Sequence, residues 1–198
     1  MKTEYNKQCE KQINAMNITE WEQIEKKICS LAGVNTAEAR VSDLVFDKGF
    51  RKLCEDNACG NFGKNYTCPP LCGKIDDMMA QVQAYDRILV YQNIFPLEDS
   101  YDYEGMMEGK EKHSEVSEEI TDFILKKKYD NVMHLGAGGC TLCEVCGAQR
   151  GVPCIFPKRA LVSLEACGIA VSNLAQSAGM KYINGENTVT FFGAVLFR

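Results

Sequence analysis

Asn131-Val132-Met133-His134-Leu135-Gly136-Ala137-Gly138-Gly139-Cys140-Thr141-Leu142-Cys143-Glu144-Val145-Cys146 changes character twice in sixteen residues. Asn131 to Leu135 is a short apolar run that reads as a strand, and three glycines in the next four residues end it. Three cysteines then follow at two-residue spacing. A strand that empties into a glycine turn and a ligand-bearing loop is the layout of an α/β layer. In such layers, sites gather beyond the carboxyl ends of strands.

Working outward, the same alternation covers the chain. Upstream, the stretch from Leu97 to Lys128 starts acidic and ends in Lys126, Lys127 and Lys128. Its apolar stripe of Val116, Ile120, Phe123 and Ile124 predicts a helix. Before it, Ile75, Met78, Met79 and Val82 mark a helix that runs directly into the strand Arg87 to Tyr91. Thr19 and Glu22 form a capping box ahead of Trp21, Ile24, Ile28 and Leu31, with Gly33 as the stop. Ala37 to Phe46 partly alternates and reads as a strand, and Lys48 to Gly73 reads as a structured loop. Downstream, a last helix is expected from about Ser163 to Gly179, with Cys167 packed on its apolar face, and a final strand from Val189 to Phe197. The expectation is one α/β domain over residues 1–198, a single layered unit of alternating helices and strands with cysteine-rich loops at strand ends. Residues 1–17 read as a loosely ordered N-terminal extension.

Composition narrows the function. The net charge is -5 and the pI about 5.2, which argues against a basic surface for nucleic acid or anionic lipid. No apolar run approaches the roughly 20 residues that cross a membrane. Met1 to Lys7 lacks the apolar core of a secretory signal, so a cytoplasmic location is expected. Eleven of the 198 residues are cysteine, an odd and clustered set. An intracellular chain spends such thiols on metal or redox chemistry rather than on a disulfide framework.

Cys140-x2-Cys143-x2-Cys146 is the spacing of the first three ligands in bacterial ferredoxins, and Cys154 is the nearest fourth ligand. Structural zinc favours paired short spacings instead, so an iron–sulfur cluster is the first reading and zinc the alternative. Cys54-x4-Cys59-x8-Cys68-x3-Cys72 is looser. It reads as a loop folded around a metal or as a proline-rich turn with buried thiols. Lys48, Arg51, Lys52, Lys64 and Lys74 outnumber Glu55 and Asp56 around the first group. Arg150, Lys158 and Arg159 outnumber Glu144 around the second. That balance offsets the negative charge of thiolate-bound clusters.

Three functions compete on this footing. One is an iron–sulfur protein carrying one or two 4Fe-4S clusters that moves electrons to a redox partner protein. The second is a zinc protein that presents an interaction surface. The third is a cysteine nucleophile with a histidine base, for which only His113 and His134 exist. His113 reads as a solvated residue of a charged helix and His134 as a core residue of a strand. No P-loop is present, and Gly136-Ala137-Gly138-Gly139 does not complete G-x-G-x-x-G, so nucleotide or flavin binding is unsupported. Tyr101 and Tyr103, with Met106 and Met107, read as core cover.

The segment Cys59-Gly60-Asn61-Phe62-Gly63-Lys64-Asn65-Tyr66-Thr67-Cys68-Pro69-Pro70 resembles the signature of the DUF2284 family of predicted metal-binding proteins. The second half is similar as well, through Cys140-Thr141-Leu142-Cys143-Glu144-Val145-Cys146, Pro153-Cys154 and Ser163-Leu164-Glu165-Ala166. The resemblance implies metal binding, as iron–sulfur clusters, and brings no substrate or reaction with it.

Overall fold

The computed structural model describes residues 19–129 and 131–198. The expected N-terminal extension and Cys9 lie outside them. In chain order the elements are α1 (Glu20–Cys29), β1 (Val34–Arg40), α2 (Gly49–Glu55), α3 (Ile75–Gln83) and β2 (Arg87–Pro96). Then come α4 (Tyr103–Lys127), β3 (Val132–Leu135), α5 (Val171–Ser177) and β4 (Thr188–Phe197). The four strands form one sheet in the order β1-β2-β4-β3, and every pairing is antiparallel. The α/β class and the alternation of elements stand. Alternation alone left the strand directions open.

Helices cover both faces of the sheet because β2 is apolar on both. Side chains alternate across a strand, so Ile88 and Val90 face one way and Leu89 and Tyr91 the other. The first set packs with Phe192, Ala194 and Leu196 against Met78 and Val82 of α3 and Leu174 of α5. The second packs with Val195 and Phe197 against Trp21, Ile24 and Ile28 of α1 and Ile120 and Ile124 of α4. At the outer corner, the Arg87 guanidinium lies 3.7 Å over the Trp21 ring while its Nε and Nη2 donate to the Glu38 carboxylate. The Thr19–Glu22 capping box forms as the sequence predicts.

Several boundaries move, each for a physical reason. β1 ends at Arg40 rather than Phe46, because Arg40 pairs with Arg87, the first residue of β2, and among the described residues Phe46 makes only an isolated bridge, to Ile169. The expected loop 48–73 contains α2, which carries Arg51 and Cys54. The last helix begins at Val171 instead of Ser163. Glu165–Cys167 forms a 3-10 turn, and Gly168 at φ 78° breaks the chain direction after it. Cys167 is buried, as its apolar context implies, but on that turn and not on a helix. Tyr101 and Tyr103 are exposed rather than covering core.

The larger correction is His113. It is 2% exposed, wedged between α4 and the sheet, with its ring stacked 5.5 Å from Tyr91 and 5.7 Å from Phe191. The charges of α4 lie on its other face, and helical spacing puts His113 in line with Ser117, Ile120 and Ile124. His134 is half-buried rather than a core residue, and both its ring nitrogens have hydrogen-bond partners, as its strand context implies. Its Nε2 lies 2.8 Å from Tyr91 Oη and its Nδ1 lies 2.9 Å from Thr121 Oγ1. Tyr91 Oη also lies 2.8 Å from Ser117 Oγ.

Burial holds His113 well below its ordinary value, to about 4, against a weaker upward pull from the Phe192 carbonyl. The unfolded chain protonates this imidazole near 6.5, so the unfolded state binds the extra proton between the two values. The His113 contribution is therefore complete above pH 6.5 and declines as pH falls toward 4. The expected loss is about 3 kcal/mol at pH 4 from this residue, at 1.36 kcal/mol per pKa unit. Burial likewise holds His134 down, to about 3, so urea unfolding across that range should show a slope from both histidines, and His113→Phe should reduce it to the His134 part.

Candidate metal centre

The first cysteine group is shaped by α2 and a run of turns. Cys54 sits in the last turn of α2. Asn57 Oδ1 then accepts from the Phe62 amide, and the Gly63 amide donates to Pro69 O at 2.8 Å. The Cys68 and Cys72 amides donate to Asn65 O and Cys68 O, which winds this stretch into a tight coil. Cys54 and Cys68 each lie near enough to Cys59 and Cys72 for charge on one to oppose charge on another. Burial is the main force pushing the Cys54 and Cys68 thiols up. Arg51 opposes it at Cys54, and the Thr67 and Asn65 side chains oppose it at Cys68. Arg51 Nη1 also donates to Cys72 Sγ at 3.6 Å, and Nη2 to Ala166 O at 3.2 Å.

The second group is gathered around one space. Cys140, Cys143, Cys146 and Cys154 all line a cavity of about 40 Å³, walled by Tyr66, Leu142, Val152, Ile155 and Phe156. The chain closes on itself there through the 3-10 turn Gly147–Arg150 and the Val152 amide, which donates to Gly147 O at 3.0 Å. Burial raises the Cys140 thiol, opposed by a hydrogen bond from the Leu142 amide. Cys146, Cys143 and Cys154 add to the upward push.

The two loops meet. Tyr66 Oη donates to Val152 O at 2.9 Å, the Cys140 amide donates to Thr67 Oγ1 at 3.2 Å, and Asn61 packs on Gly139. Both cysteine groups therefore occupy one edge of the fold, while the thiols fall into two sets of four. Among the described residues, no three His, Cys, Asp or Glu side chains are closed around a single-ion position. The donor set fits a thiolate-bound metal in kind. Each set of four is backed by hydrogen-bond donors that favour the charged sulfur: Arg51, Asn65 and Thr67 for the first, the Leu142 amide for the second.

Spacing revealed the eight cysteines but not these supporting groups, because Thr67, Asn65 and Leu142 meet sulfur only through the folded loops. Cys167 was also out of reach. Burial pushes its thiol up to about 12, with Cys72 close enough to add to the effect. Among the described residues, no histidine hydrogen-bonds a cysteine, so the thiol–imidazole pair of a nucleophilic enzyme is missing.

Gly147 offers a local test. A Cβ there would lie 2.6 Å from Val152 O and 3.0 Å from Pro153 O, both main-chain atoms. Gly147→Ala must push apart the segments that carry Cys146 and Cys154. If the second group is a metal site, the expected result is a lower metal content per chain with the far-ultraviolet circular dichroism of the sheet and helices unchanged.

An antiparallel α/β frame that places two four-cysteine loops side by side defines a cysteine-rich metal-binding class of protein. The chain belongs to the family described as predicted metal-binding protein (DUF2284), which matches residues 37–197. Neither a curated protein nor a solved structure matches it. Among the described residues, no helix is long and apolar enough to cross a membrane.

Proposed function

We propose that this protein binds 4Fe-4S clusters and uses them to pass electrons. Cys140, Cys143, Cys146 and Cys154 would hold one cluster, and Cys54, Cys59, Cys68 and Cys72 a second. The observation that carries the reading is the cavity lined by all four cysteines of the second group. Its 40 Å³ has room for roughly three waters. Zinc needs no such room, since thiolates close on it directly at about 2.3 Å. A bound cluster supplies one-electron redox chemistry.

The chain's own residues prepare that site in three ways. The Leu142 amide and the Arg51 guanidinium donate toward cysteine sulfur and so favour the thiolate. Tyr66, Ile155 and Phe156 wall the second cavity with apolar surface that limits water. Val152, Ile155 and Phe156 are nonetheless exposed at its rim, and this is where a redox partner protein would dock. The contact between the loops through Thr67 and Tyr66 would keep two clusters on one edge, as a short relay.

Iron, zinc and acid-labile sulfide per chain, measured on protein purified without oxygen, test the reading. About eight iron and eight sulfide support two clusters, and about four of each support one. Zinc without sulfide, from protein never exposed to air, overturns it in favour of a structural metal that shapes an interaction surface.

A further inference from the structure

Among the described residues, Arg51 alone puts a charged donor on a cysteine sulfur. Its Nη1 donates to Cys72 Sγ at 3.6 Å and its Nη2 to Ala166 O at 3.2 Å, so the fork joins Cys72 to the turn that carries Cys167. The same charge draws the Cys54 thiol down more strongly than Glu165 pushes it up.

This cation lacks the usual company. Lys48, Arg87 and Arg159 each pair with a carboxylate, whereas Arg51 pairs with none among the described residues. Its side chain is half-buried, and its Nε is shut away from water without a hydrogen-bond partner. Removing a charge from water costs free energy unless an opposite charge stands beside it. Orphaned polar atoms of this kind are uncommon and each calls for an explanation. The anion within reach of Arg51 is the first cysteine group itself, once its thiols are ionised.

The second group is set differently. Its sulfur donor is the neutral Leu142 amide, at Cys140. Arg150 lines the thiol cavity, but it is exposed and donates to Val145 O at 3.4 Å. Arg159 is shared between Glu118 at 3.8 Å and Asp122 at 2.9 Å. Tyr66, Ile155 and Phe156 wall that cavity, while Cys59 of the first group is exposed. Reducing an iron–sulfur centre adds one electron and one negative charge. A cation on the sulfur and access to water therefore raise its potential, and an apolar wall lowers it.

We propose that Arg51 makes the first cysteine group the higher-potential centre of the two, so that electrons enter at the second group and collect at the first. The inference rests on the two-cluster reading and gives that relay a direction. A one-electron carrier protein at the rim of the second cavity supplies the electron. In the internal step the second centre is oxidised by one electron and the first reduced by one, with no bond made or broken.

The test is a redox titration followed by electron paramagnetic resonance on the anaerobically purified full chain. Cys143→Ala keeps the first cluster and Cys68→Ala keeps the second. The first should hold the electron at least about tenfold more tightly than the second, a gap of about 59 mV. Arg51→Gln in the Cys143→Ala chain should lower that potential by about the same amount, and Arg51→Lys, which keeps the charge and loses the fork, by less. Arg51→Gln in the Cys68→Ala chain should leave the potential unchanged, which a general loosening of the protein would not. If Arg51→Gln sheds the first cluster, the order of the two potentials in the single cysteine variants decides. Equal or reversed potentials, or no shift on Arg51→Gln with the first cluster in place, overturn this proposal alone, because iron and sulfide per chain report on the clusters separately. A single cluster per chain, or zinc without sulfide, removes the relay and the proposal with it.

Discussion

If the second group holds a cluster as proposed, replacing Cys143 with alanine should remove about four iron and four sulfide per chain from the anaerobically purified protein, and the visible absorbance should fall in proportion. The reason is the shape of the second group. Cys143 is the middle of three cysteines at two-residue spacing, and all four of the group line one cavity. A cubane left with three protein ligands exposes one iron to solvent. The rest of the metal should stay, because the first group is backed by its own donors, Arg51 at Cys72 and the Asn65 and Thr67 side chains at Cys68. If Cys68→Ala empties both sites together, the two groups share one centre and the two-cluster reading fails.

Gly193→Ala should cost at least about 3 kcal/mol of stability, because a Cβ at Gly193 would stand 2.2 Å from both Cζ and Oη of Tyr91. Gly193 pairs directly with Tyr91, whose ring crosses β4 toward β3. There its hydroxyl meets Ser117 and His134, and the side chain has no exposed surface. A flexible, solvent-facing tip could swing aside cheaply, but Tyr91 is held at the ring and at the hydroxyl. Moving it costs His134 Nε2 its partner, at about 1–3 kcal/mol, while Ser117 Oγ keeps its bond to His113 O. Urea unfolding measures the loss. Tyr91→Leu in the Gly193→Ala background should cost much less than the sum of the two single changes, because the clash is between those two residues alone. Additive costs would mean that the glycine answers to something other than Tyr91.

These expectations separate what each level of description supplies. The elements were readable where local rules decide them. The capping box at Thr19 and Glu22 starts α1 through bonds within four residues, and the helical stripe of α3 and the apolar run of β2 need only their own periodicity. Errors arose where a distant partner decides. β1 stops where β2 begins, and α5 starts late because Gly168 redirects the chain after a 3-10 turn. His113 looks like a surface residue among glutamates and lysines, but helix α4 turns that one position onto Tyr91 and Phe191. Nothing local to residues 108–118 reports that contact.

The candidate site divides in the same way. Sequence by itself determined the eight cysteines, their two groups and the family to which they point, because ligand spacing within a loop is a property of covalent geometry. Only the tertiary structure decided that the two loops touch through Tyr66 and Thr67 and that Arg51 reaches Cys72. Those contacts join residues from about 20 to more than 80 positions apart, so no local rule selects them and they follow from how the elements pack.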